Sequence, residues 1–218
     1  MTEAKIHPTA VVDSGAEVGN GTAVWHYTHI CSGAVVGGSC SLGQNVLVAD
    51  NAVIGNYVKV QNNVAIYGGV TVEDEVFLGP SCVLTNVTNP RSQISRKSLY
   101  EKTLIRRGAT IGANATIVCG ITLGRYCFVG AGAVVTKDVP DYGLVVGNPA
   151  KQKGFMSRHG HKLTFDDTNQ ATCPESKFVY ERAGEVVRCL SLDEESALPE
   201  DLSIGTQPYG SFKEAPDF

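Results

Sequence analysis

From Ile6 to Leu84 every sixth residue is Ile, Val or Leu, fourteen positions without a miss, and the beat returns six times from Ile105 to Val135. A helix repeats every 3.6 residues and a lone strand every 2, so neither produces a strict six. A parallel β-helix built from hexapeptides does. Four residues after each of these positions stands a small or β-branched residue, as at Ala10, Thr28, Cys40, Ala52, Val64, Cys82, Ala109, Ala115 and Ala133. One large and one small inward residue per hexad fills a narrow three-sided prism, three hexads to a coil of 18, with coils stacked about 4.8 Å apart. Glycine after the large residue, as at Gly37, Gly55, Gly112 and Gly130, suits the corners.

The beat breaks once. Leu84 and Ile105 lie 21 residues apart, one hexad plus 15, which predicts a loop over about 86–103 pushed out of a corner. Long loops on compact scaffolds are usually functional or disordered, and the composition of this one favours function. This one carries Arg91, Arg96, Lys97 and Lys102 against Glu101, a net +3, and Arg106 and Arg107 follow it. The prism with its loop is expected over 1–140 and a C-terminal extension over 141–218, with Pro140 ending the repeat, a hairpin at about 177–190 and a polar, extended or mobile run from about Leu192.

Composition narrows the function. A formal charge of −4 argues against nucleic acid or a membrane surface as partner, and no apolar run is long enough to span a bilayer. The seven cysteines, three of them at the small inward site, and the opening MTEAKIHP without a hydrophobic region point to a reducing, cytoplasmic setting.

Residues 18 apart stack, so Asn45, Asn63, Ser81 and, beyond the insertion, Asn114 form a polar column, in which Asn serves turns or sites alike. Asn62 and Asn63, with Tyr67 one corner on, are the stronger site candidates.

The large residue followed by Gly, with the small second site, resembles the left-handed β-helix of hexapeptide-repeat acyltransferases; the left hand comes from that resemblance. The segments WHYTHI (25–30), QNNVAIY (61–67), GPSCVLTNVTNPRS (79–92), 106–142 and GNPAK (147–151) resemble the N-acetyltransferases of nucleotide-linked amino sugars, over about residues 1–160. The run TNVTNPRS, the Arg96-Lys97 pair, MSRHG (156–160) and CPES (173–176) are most similar to enzymes acetylating UDP-2-acetamido-3-amino-2,3-dideoxyglucuronate for surface polysaccharide, with a dTDP-3-amino-deoxyhexose as the alternative substrate. The resemblance implies a homotrimer with active sites between subunits, acetyl-CoA along the later coils, the sugar nucleotide beside the loop, and no metal. On that basis Arg106, Gly112, Gly130, Gly132, Lys137 and Lys151 are expected to meet acetyl-CoA, and Asn62, Asn63, Tyr67, Arg91, Arg96 and Lys97 the substrate, with Arg96 or Lys97 on the sugar carboxylate.

Many such enzymes place a His in the loop as general base, and here no His lies between His29 and His159. A sugar amine titrates near about 8, so a strong base is not essential. Asn86 is therefore expected to orient the attacking amine. His26 or His29 from the early coils, or a carboxylate, is the alternative; His29 lies about 14 Å away along its own prism, nearer if a neighbouring subunit brings it closer. The absence of mid-repeat His excludes the three-histidine zinc site of γ-type carbonic anhydrases on the same prism.

Overall fold

The computed structural model describes residues 2–205 and 207–212. Twenty strands, most of two residues, run from Lys5–Ile6 to Val134–Val135 and wind into three parallel faces. The first face carries Lys5–Ile6, Ala23–Val24, Ser41–Leu42, Lys59–Val60, Phe77–Leu78, Thr110–Ile111 and Phe128–Val129. The second runs from Val11–Val12 through His29–Ile30, Ala65–Ile66, Val83–Leu84 and Thr116–Ile117 to Val134–Val135. The third spans Glu17–Val18 to Thr122–Leu123. This is the expected all-β, left-handed parallel β-helix of hexapeptide repeats.

Register states the period directly. Val60 pairs with Leu42 and Leu78, each 18 residues away, while Leu78 pairs with Ile111, 33 away, which is one coil plus the 15 inserted residues. The phase residues from Ile30 to Val135 are 0–2% exposed and form one continuous core with the small inward set. Only the first coil departs: Ile6 and Val12 remain 39% and 36% exposed because nothing stacks beneath them.

Two boundaries differ from the expectation. Thr103 is already buried and paired with Val70, so the loop closes at Lys102. Pro140 does not end the prism. Val139 bridges Leu123, and Gly143–Val146 continues the first face with Val145 paired to Val129 in the core. The chain then turns at Gly147 and returns antiparallel through Lys151–Phe155, covering the open end of that face.

The extension packs against its own prism. Gln170–Thr172, Val179–Ala183 and Val186–Cys189 form an antiparallel sheet, whose last two strands are the expected hairpin, turning at Gly184. Its second core joins Phe155, Leu163, Cys173 and Tyr180 to Tyr126 and Tyr142 of the prism. The start of the run after Leu192 is anchored, unlike its expectation, and residues 206 and 213–218 of that run lie outside the described residues. The Tyr142 hydroxyl donates to the Glu194 carboxylate, Tyr126 donates to the Glu194 carbonyl at 2.7 Å, and Arg125 pairs with Glu195.

Candidate active site

Each coil has three corners, and they divide the sequence-predicted residues. The first corner, between the first and second faces, holds Asn62, Asn63, Gly112, Gly130 and Gly132. The second corner, between the second and third faces, holds Tyr67, Asn86 and Lys137. Arg106 stands at the third, and Lys151 pairs with Val146 at the end of the first face. Within one chain the second face therefore separates the two groups.

The first corner is largely built for stacking. Asn45, Asn63, Ser81 and Asn114 all take left-handed φ between 56° and 62°, a region Asn tolerates better than most residues. The Asn45 amide donates to Asn63 Oδ1 at 3.1 Å, and Asn62 Oδ1 accepts the Gln44 N–H at 2.8 Å, so both sequence-predicted side chains carry a coil-to-coil hydrogen bond. Asn62 also lines an open cleft of about 260 Å³ with Trp25, His26, Gln44 and Gln61. A Cβ at Gly112 would fall 2.5 Å from the Ala131 nitrogen, and one at Gly130 would fall 2.7 Å from Val146, so packing alone demands glycine at both. Gly132 differs: at φ +69° nothing lies within 4 Å of an added Cβ, so there is open space beside it, while its N–H donates to the Ala113 carbonyl at 2.8 Å.

The second corner is less self-satisfied. Register carried on from Leu84 and Ile117 sets Asn86 against Cys119, and the next coil puts Lys137 on the same column. The Thr85 hydroxyl takes the Cys119 N–H at 2.9 Å and holds that column closed. Asn86 lends its carbonyl to the Glu101 N–H at 3.0 Å, which ties the two ends of the loop together. Its side-chain amide, half-buried, has no hydrogen-bond partner among the described residues. Glu101 is the feature sequence reasoning missed, having been counted only as a charge. One of its oxygens accepts from the Thr88 hydroxyl at 2.6 Å, and the other lies over Gly120, where an added Cβ would meet it at 2.5 Å. A carboxylate thus stands beside Asn86 in a loop without histidine.

The loop's cations are spent on no carboxylate. Arg91 donates to the Pro90 carbonyl at 3.3 Å and Arg96 to the Asn89 carbonyl at 3.0 Å, and neither they nor Lys97 forms an ion pair among the described residues. Arg106, at the third corner, faces Glu73 at 3.7 Å. Beside it Arg107 makes a bidentate pair with Glu75, at 2.8 and 3.2 Å, and Arg125 holds Asp141 and Glu195. Burial alone would lower the Arg107 pKa, but hydrogen bonding to Glu75 with the charges of Glu75 and Asp74 holds it above its ordinary value. Arg106 belongs to this acidic corner and is separated from the loop cations.

His29 projects from the second face toward the second corner, its Nε2 3.1 Å from both oxygens of Asp13. His26, at the first corner, stacks on His7 at 3.6 Å between ring centroids. In the extension, His159 contacts the Leu202 carbonyl at 2.9 Å and His161 contacts Glu175 at 2.7 Å.

The profile described as "Bacterial transferase hexapeptide (six repeats)" matches residues 51–86 and 102–137, either side of the loop. The chain is 44% identical over 168 residues to the dTDP-3-amino-3,6-dideoxy-alpha-D-galactopyranose 3-N-acetyltransferase of Aneurinibacillus thermoaerophilus, covering 77% of this chain and 86% of that protein. Among solved structures, the acetyltransferase domain of PglB from Neisseria gonorrhoeae in complex with acetyl coenzyme A is 25% identical, covering 68% of this chain and 57% of that chain, with a TM-score of 0.46. PerB from Caulobacter crescentus in complex with CoA and GDP-perosamine is 26% identical, covering 70% and 58%, with a TM-score of 0.35. The chain belongs to the hexapeptide-repeat acetyltransferases, as an acetyl-CoA-dependent N-acetyltransferase of the sugar type.

Proposed function

We propose that this enzyme transfers the acetyl group of acetyl-CoA to the 3-amino group of a dTDP-linked 3-amino-deoxyhexose. The substrate reading rests on the relative from Aneurinibacillus, similar over 86% of its length. The placement of the chemistry rests on one observation, the uncommitted Asn86 amide at the corner where the loop leaves the prism.

Asn86 Oδ1 accepts a hydrogen bond from the neutral amine and aims its lone pair at the thioester carbon. The new N–C bond raises a tetrahedral oxyanion, which a backbone N–H of the later coils stabilises. Collapse breaks the C–S bond, and the proton lost from nitrogen leaves with the CoA sulfur. In this reading Lys137, on the Asn86 column, and Lys151 meet CoA phosphates.

The site is completed between subunits of a homotrimer in this reading. Its two groups of residues sit at opposite edges of one face, and that face presents Val11 and Val83 outward, 53% and 49% exposed. Two adjoining prisms bring the first corner of one to the second corner of the other. The seven free cysteines fit a cytoplasmic setting.

A second reading keeps the same reaction on a UDP-linked 2-acetamido-3-amino-glucuronate, feeding surface polysaccharide. The four loop cations, Arg91, Arg96, Lys97 and Lys102, form no ion pair among the described residues, which favours it, because an acidic sugar supplies a carboxylate. Acetyl-CoA consumption across a panel of dTDP- and UDP-linked 3-amino sugars, with and without the carboxylate, decides. Turnover highest on the dTDP-deoxyhexose supports the first reading and highest on the uronate the second. No turnover on any amino sugar nucleotide rejects both.

A further inference from the structure

The repeat stacks side chains with fixed spacing, and at one place it stacks three metal-ligand types. His29 and Cys31 flank the inward Ile30 and so point to the same outer side of the second face. Val11 pairs with His29 and Val12 with Ile30, so Asp13 comes to rest against Cys31, one rung away. The result is an imidazole, a thiol and a carboxylate converging on one point. His29 Nε2 lies 3.1 Å from Asp13 Oδ1 and Oδ2 and 4.0 Å from Cys31 Sγ, and the three ligand atoms lie within 4.8 Å of one another. Among the described residues no other His, Cys, Asp or Glu trio closes this far.

We propose that Asp13, His29 and Cys31 form a zinc-class divalent metal site with three protein ligands and an open fourth position. Zn–N and Zn–O bonds of about 2.0–2.2 Å and a Zn–S bond of about 2.3 Å at tetrahedral angles require ligand separations of roughly 3.3–3.8 Å. The trio sits astride that range, so a rotamer adjustment completes it. The mixed donor set selects a borderline-soft ion: the thiolate excludes Ca²⁺ and Mg²⁺, which take oxygen ligands. In the single chain the His29 and Asp13 side chains are 45% and 39% exposed. The coil that follows places Leu47 and Ala49 where His29 and Cys31 stand, so the site cannot extend along the column. Binding displaces the thiol proton: Zn²⁺ and Cys–SH give Cys–S–Zn⁺ and H⁺. The site lies three rungs before Thr85, about 14 Å from the loop mouth along the same corner, and takes no part in the acetyl transfer described above.

The full-length protein, stripped with a chelator and checked by circular dichroism, should be titrated with Co²⁺. The expected result is one Co²⁺ per chain with a thiolate-to-cobalt charge-transfer band, displaced by Zn²⁺. Cys31→Ser should abolish the band, His29→Ala and Asp13→Asn should each weaken binding by at least about tenfold, and Cys189→Ser should change nothing. Absence of the band in the wild type overturns the proposal, as does a band that survives Cys31→Ser. Each variant is compared with its own circular dichroism, and Zn²⁺ should raise the Tm of the wild type but not of Cys31→Ser. The readout needs no substrate, so it stands or falls apart from the acetyltransferase assignment.

Discussion

Two sets of basic residues, close in sequence, have opposite fates in the fold. Arg91, Arg96 and Lys97 stand in the loop with no carboxylate on them among the described residues. Arg106, Arg107 and Arg125 stand at the third corner, matched by Glu73, Asp74, Glu75, Asp141 and Glu195. Reading along the chain, Arg91 through Arg107 form one basic strip. Coil stacking divides it, because Glu73, Asp74 and Glu75 are one hexad corner and Arg106 and Arg107 the same corner one coil later. The loop cations form no ion pair among the described residues, whereas the corner cations are paired within the prism, and Arg125 also holds Glu195 of the extension.

If that division is right, the two regions fail differently, and the largest failure belongs to the corner at high pH. Burial pushes the Tyr126 phenol up to about 12 and raises Tyr142 and Tyr180 further, the Glu194 carboxylate adding to Tyr142. Each phenol is protonated more tightly folded than unfolded. Their stabilising effect is therefore complete below about pH 10 and is lost as pH rises through 12. A pH series of thermal melts should show a steep fall in Tm above pH 10, led by the extension; a flat profile to pH 12 would contradict the docking.

Next in size, Arg107→Ala removes two charge-assisted hydrogen bonds and strands Glu75 at a guanidinium only 15% exposed in the side chain. The expected cost is about 2 kcal/mol in urea unfolding, with KM for both substrates unchanged. Asn86→Ala should do the converse. Its amide holds no structural bond among the described residues, so stability should stay within about 0.5 kcal/mol while kcat/KM falls at least about tenfold, or about 1.4 kcal/mol. Wild-type kinetics in that variant would move the chemistry to Glu101 or to His29 of a neighbouring subunit.

Much of this was legible in sequence because a hexapeptide prism writes its register into every sixth residue. The three faces, the Asn45 to Asn114 column and the 15-residue insertion all follow from counting. Counting could not say which side chains at a corner are already spent. Asn62 and Asn63 read as site residues, and the Oδ1 of each also carries a coil-to-coil hydrogen bond, a feature that depends on side-chain direction. Glu101 was invisible as a neighbour of Asn86 because the loop closes on itself, and loop closure has no period. The anchored run after Leu192 escaped for a related reason: Glu194 and Glu195 read as solvated charge until Tyr142 and Arg125 are seen beneath them. Pro140 read as a terminator, but the chain had one more rung to lay down on the first face.

The division between the two basic regions is tested most directly by measuring Arg96→Ala and Arg107→Ala side by side, each for KM on the sugar nucleotide and for the urea midpoint. Arg96→Ala should raise KM several-fold and more steeply at low salt, with its midpoint unmoved, because an exposed loop cation is screened and holds only the Asn89 carbonyl. Arg107→Ala should lower its midpoint and leave KM alone. An Arg107 variant with raised KM at wild-type stability, or an Arg96 variant that unfolds early and binds normally, would contradict the account.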